Sequence, residues 1–126
     1  MKKIFIMLFL GAGASAAAQT PFADCFFDKT MRFDYYHAGD SRSEEYFFDA
    51  LKEEPYWAGS KVSLVDTTGY GNQFFRIVDR ASGREIYSRG FCTLFNEWQS
   101  TPEADSVRRS YPESVVFPYP KRPCRI

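Results

Sequence analysis

Four carboxylates, Asp34, Glu44, Asp66 and Glu97, are candidates for a catalytic pair, since glycoside hydrolysis needs two such groups at a fixed separation across a sugar. With 16 acidic side chains present, solvated carboxylates are the default reading. Nucleophilic chemistry at Ser or Cys needs a base, and His37 is the only histidine. No G-x-S-x-G elbow accompanies it, so His37, at the end of a predicted strand, reads as a surface or hydrogen-bonded residue. Cys25, Cys92 and Cys124 show no C-x-x-C spacing, and one histidine cannot complete a spaced zinc set, so no metal or other cofactor is expected. Buried thiols or one disulfide are the readings that remain, with the pairing open. Gly69-Tyr70-Gly71 resembles part of a phosphate loop but lacks the third glycine and a following helical pattern, and reads as a turn. Trp57, Trp98, Tyr35, Tyr36 and Tyr119 either form a stacking platform for sugars or pack a core.

The elements that must position these residues are mostly strands. Residues 30–37 alternate Met31, Phe33 and Tyr35 against Arg32, Asp34 and Tyr36, the period of a half-buried strand, and Gly39-Asp40-Ser41 turns the chain. Residues 43–54 are ambiguous between a capped helix and a returning strand, and a strand is preferred. Residues 62–66 alternate again. Residues 73–79 place Phe74 and Val78 on one face and Phe75 and Ile77 on the other, a pattern suited to a central strand. A hairpin turn at residues 80–83, with Gly83 supplying positive φ, leads to a return strand over residues 84–91. Thr101-Pro102-Glu103 predicts a short capped helix, ended by Tyr111-Pro112, and residues 114–117 a last strand before Pro118, Pro120 and Pro123. Phe33, Tyr35, Phe75, Ile77, Tyr87 and Phe91 are the predicted core. The sum is a mainly β chain, an antiparallel β-sandwich with one short helix.

Length and composition agree with one domain: 126 residues, 44% hydrophobic and 18% aromatic. Sixteen basic residues balance sixteen acidic ones, so no nucleic-acid partner is indicated. Lys2 and Lys3, an apolar run over residues 4–10 and Ala16-Ala17-Ala18 read as a secretory signal peptide over residues 1–18, too short to span a bilayer. Residues 19–29 form a lead-in and residues 30–126 the domain. The expected product is secreted or periplasmic, with no membrane contact once the signal is removed.

Tyr87-Ser88-Arg89-Gly90-Phe91, Leu94-Phe95-Asn96-Glu97-Trp98 and Thr101-Pro102-Glu103-Ala104 resemble the N-terminal domain of IgA-peptidase-type secreted zinc metallopeptidases of gut bacteria. The likeness extends to Arg32-Phe33-Asp34-Tyr35-Tyr36-His37, Trp57-Ala58-Gly59-Ser60, Leu64-Val65-Asp66 and Phe117-Pro118-Tyr119-Pro120-Lys121, in the same order. It implies a β-rich accessory module ahead of a zinc peptidase domain, with a further strand beyond Ile126. It also implies, as partners, the catalytic domain and a glycoprotein substrate. The family's H-E-x-x-H motif has no counterpart here, so no catalytic, metal or cofactor-binding residue carries over. A stand-alone glycan- or protein-binding module is the second reading, and a small hydrolase the third.

Overall fold

The computed structural model describes residues 21–126; the predicted signal peptide and Gln19-Thr20 lie outside the described residues. Two antiparallel sheets face each other as a β-sandwich. The first has the order β2-β1-β5, built from β1 (Phe26–Asp40), β2 (Ser43–Glu54) and β5 (Arg109–Pro120). The second has the order β4-β3-β6, from β3 (Gln73–Asp79), β4 (Glu85–Phe91) and β6 (Cys124–Arg125).

Alternation decides which side of β1 is buried. Met31, Phe33, Tyr35 and His37 point inward, opposite Phe117, Val115, Glu113 and Tyr111 of β5. Arg32, Asp34 and Tyr36 lie on the outer face. On that face Asp34 accepts a hydrogen bond from Ser114 and pairs with Arg32 and Lys52, and these contacts hold its carboxyl down at about 2. β5 tolerates Pro112, Pro118 and Pro120 because it is an edge strand. All three share one parity, so their missing N–H groups fall on the outward side, away from β1.

The inner faces and the segments around them build two clusters. The larger joins Phe26, Trp57, Leu64, Ile77, Ile86, Tyr87 and Phe117, with Phe33 and Phe75 packed against it. The smaller joins Phe95 and Trp98 of α2 (Leu94–Gln99) with Ala104 and Tyr111. Of the predicted core, Tyr35, Ile77 and Tyr87 are buried and Phe33, Phe75 and Phe91 half-buried.

Several local expectations are corrected. The lead-in does tuck its aromatics onto the domain, with Phe22 of α1 (Phe22–Cys25) packed on the larger cluster, but β1 begins at Phe26, four residues before the strand start expected from the sequence. Residues 62–66 are not a strand; they lie along the open edge of β4 with side chains replacing most ladder partners. Ser88 N–H donates to Leu64 O, Asp66 N–H to the Ser88 hydroxyl, and Gly90 N–H to the Asp66 carboxylate. Gly90 is required there, since a Cβ would collide with the Tyr70 carbonyl. Thr101 makes no side-chain cap; its hydroxyl donates to Trp98 O, and Pro102–Asp105 is a 3-10 turn. The capped helix is α2, where Thr93 Oγ1 accepts from Asn96 N–H. Tyr111-Pro112 does not follow a helix but lies within β5. The hairpin stands as predicted, with Gly83 at φ +68°.

Candidate functional site

β2 is the least covered strand: Tyr46, Phe47, Phe48 and Leu51 are all more than half exposed. A register shift beside Asp34 explains how so many rings come to line the space between the sheets. Asp34 faces Ala50 and Tyr35 faces Phe48, so Asp49 bulges out and the alternation of β2 inverts. Tyr46 and Phe48 before the bulge and Leu51 after it therefore share the inner face with His37, Tyr35 and Phe33. Across the gap, β3 pairs with β6 only at Val78 and Asp79, leaving Phe74 and Phe75 beside an edge that no described strand covers.

The result is a groove of about 570 Å³ between β2 and β3, lined chiefly by Phe33, Tyr35, Phe48, Phe74, Phe75 and Phe91. Its rings meet obliquely: Phe33 and Phe48 lie 5.4 Å apart and 46° out of parallel, and Phe75 and Phe91 meet edge-on at 5.9 Å. Gln73 and Arg76 are the polar lining. Such a surface offers apolar area and little that could move a proton.

A polar cluster closes one end. His37 is fully buried, its ring stacked 4.0 Å from Phe95 and 4.6 Å from Tyr46. Both its nitrogens face carboxylates, Nε2 at 2.6 Å from Glu44 Oε1 and Nδ1 at 3.0 Å from Glu113 Oε2. Each ring nitrogen is thus within hydrogen-bond distance of a carboxylate, its role as donor or acceptor set by the tautomer. Glu44 Oε1 also accepts from Gln73 and Asn96, and Tyr46 Oη lies 2.8 Å from it. Burial works against the Glu44 charge, yet the bonds from Tyr46, Asn96 and His37 keep its carboxyl below the ordinary range. Burial, then Glu44, pushes the Tyr46 phenol up to about 12. Tyr35, buried and beside Glu113, is raised as well. These groups satisfy one another, which is how a structural network behaves.

The residues singled out from the sequence are dispersed. Asp34 is on the outer face, Glu97 is exposed on α2, and Asp66 is occupied by Thr68 and Gly90, which hold its carboxyl well below the usual range. Glu44 alone touches His37, and no two of the four form a facing pair across an open cleft. The aromatic platform does not assemble: Trp57 packs on Tyr87, Trp98 on Phe95, and Tyr36 is exposed on the opposite face of the sheet. Gly69-Tyr70-Gly71 is irregular turn structure. Among the described residues no group of three or more His, Cys, Asp and Glu is placed to hold a metal ion, and no helix is long and apolar enough to cross a membrane. Sequence reasoning missed Glu113, Gln73 and Asn96, which contact His37 or Glu44 only through tertiary packing. It also missed Phe48 and Phe74, for which an excess of rings over residues 46–48 and 74–75 was the available signal.

No curated protein matches the chain. A family described as Peptidase M64 N-terminus matches residues 21–126, which takes in both sheets, the groove and the His37 cluster. The chain therefore belongs to that family, as the resemblance to the N-terminal domain of IgA-peptidase-type metallopeptidases implies.

Proposed function

We propose that this chain is the non-catalytic, accessory N-terminal domain of a secreted zinc metallopeptidase of the IgA-peptidase type. In this reading residues 1–18 direct export, and the groove between β2 and β3 seats the peptidase domain. The observation that carries it is the groove itself: Phe48 is 63% and Phe74 47% exposed, beside a His37 cluster whose groups satisfy one another. Ile126 lines the same groove, so a domain joined after it would begin at the groove mouth.

The oblique rings favour protein over carbohydrate. A sugar face needs a flat exposed ring with hydrogen-bonding groups at its rim, whereas these rings are tilted against one another and present edges suited to aliphatic and aromatic side chains.

The test is to mix the purified chain with the peptidase domain of a family member and measure association by calorimetry. Phe48→Ser and Phe74→Ser, both at exposed positions, should weaken binding at least tenfold while leaving the melting temperature nearly unchanged. Equal affinity in both variants, or no association with the parent chain, would remove the groove from this role. Cleavage of protein by the chain alone, sensitive to chelator, would end the non-catalytic reading.

A further inference from the structure

We propose that Cys25 and Cys124 form an intramolecular disulfide when the protein meets an oxidising, disulfide-containing environment, with Cys92 left as the free thiol. Both cysteines are thiols in the structure, half-buried, and packed against the same apolar cluster. They line one cavity of about 380 Å³ at the end of the sandwich remote from α2, together with Asp79, Arg84 and Arg122.

Backbone contacts hold both ends of the bridge in place. Phe26 stands opposite Pro120, and Lys121 N–H donates to the Cys25 carbonyl at 2.8 Å. Three residues on, Arg80 N–H donates to Pro123 O and Cys124 stands opposite Asp79. The turn at residues 121–123 thus carries Cys124 back toward the cavity that Cys25 lines. Burial raises both thiols, and the charge of Cys25 is among the influences raising Cys124, which places the two within electrostatic reach.

Cys92 is excluded by register. It follows Phe91, which pairs with Gln73 at the start of β3, whereas Cys124 pairs with Asp79 at the end. Six strand steps of ~3.3 Å put about 20 Å between those positions, and a disulfide needs Cα atoms within ~7 Å. Cys92 is also exposed.

The chemistry is two thiol–disulfide exchanges with a small-molecule disulfide, R–S–S–R. The Cys25 thiolate, favoured against burial by Arg84 and Arg122, attacks one sulfur, forming a mixed disulfide and releasing R–S⁻. The Cys124 thiolate then attacks the Cys25 sulfur and releases the second R–S⁻. The two cysteines lose two electrons and two protons, and the small disulfide is reduced to two thiols.

The test incubates the purified full chain with oxidised glutathione, alkylates it under denaturing conditions and maps its peptides by mass. The expected result is one alkylated cysteine, Cys92, and a peptide pair joined through Cys25 and Cys124; reduction first should give three alkylated cysteines. The oxidised chain should melt about 10 °C or more above the reduced one, because the bridge closes a loop of roughly 100 residues. In Cys124→Ser that redox-dependent difference should vanish, while Cys92→Ser should keep it. Three alkylated cysteines after oxidation, a bridge involving Cys92, or disulfide-linked dimers as the main product would each overturn the assignment.

Discussion

Replacing His37 by Leu removes the ring's hydrogen bonds while keeping most of its volume at a fully buried site. Leucine fills most of the slot between Phe95 and Tyr46, so no large cavity forms, but the ring's contacts with Glu44 and Glu113 are lost. The penalty divides unevenly. Glu44 keeps Gln73 and Asn96 as donors and its side chain is 33% exposed, so water takes up part of the loss. Glu113 is 11% exposed and keeps the neighbouring Tyr35 phenol and a 3.4 Å bond from Phe95 N–H to its other oxygen. Removing one partner of a buried pair costs about 3–5 kcal/mol, and the exposure of Glu44 argues for ~3 kcal/mol here. Urea unfolding at neutral pH, followed by the fluorescence of buried Trp57 and Trp98, reads this directly. At a slope of ~1.5 kcal/mol per molar urea, the midpoint should fall by about 2 M with the slope unchanged. Adding Glu113→Gln to His37→Leu should recover ~1–2 kcal/mol, since the orphaned group is then neutral. A loss under ~1 kcal/mol, or no recovery in the double variant, would show that the two carboxylates do not depend on His37.

The Asp34 carboxyl is lowered from 3.8 to about 2, so its contribution is present above pH ~4 and disappears as pH falls through 2. Asp34→Asn should flatten that part of the acid limb of the melting profile; parallel limbs would contradict it. For Tyr46 the sign is opposite: a phenol raised from 10.0 to about 12 supports the fold below pH ~10 and loses that support as pH climbs toward 12. Ultraviolet titration should show a tyrosine ionising near 12 that is absent in Tyr46→Phe, and an unchanged curve would be the contrary result. Gly83→Ala meets no atom within 4 Å, so its effect is purely conformational. With φ at +68° it should destabilise by about 1 kcal/mol, and a neutral or higher melting temperature would show that the turn relaxes.

The strands most legible in the sequence are the middle of β1, with its alternation, β3, with apolar residues on both faces, and β4, placed by the Gly83 hairpin. β2 was ambiguous for a physical reason: the bulge at Asp49 inverts its parity, so neither a period of two nor a helical period fits residues 43–54 throughout. α2 was overlooked because six residues make under two turns, too few for a periodic stripe, while Pro102 drew attention to a neighbouring segment that forms only a 3-10 turn. Residues 62–66 looked like a strand because Leu64 is buried and its neighbours are not, but the backbone there is held by the Asp66 and Ser88 side chains. The His37 cluster was half visible. That His37 would be hydrogen-bonded followed from its type, whereas Glu113 is 76 positions away and reaches it only because β1 and β5 are neighbours. The groove is likewise a product of edge strand β2 facing the uncovered half of β3, and local pattern carries no record of that.

The three outward prolines of β5 decide how many partners the first sheet can accept. In the language of polymer chemistry, a sheet with two open edges is a bifunctional monomer: each addition leaves another reactive end, and growth continues into a fibre. Here the β5 end is blunted, since Pro112, Pro118 and Pro120 remove three of the six outward donors at residues 110, 112, 114, 116, 118 and 120. β2, which contains no proline, is the more reactive end, so this sheet behaves more like a chain stopper than a bifunctional monomer.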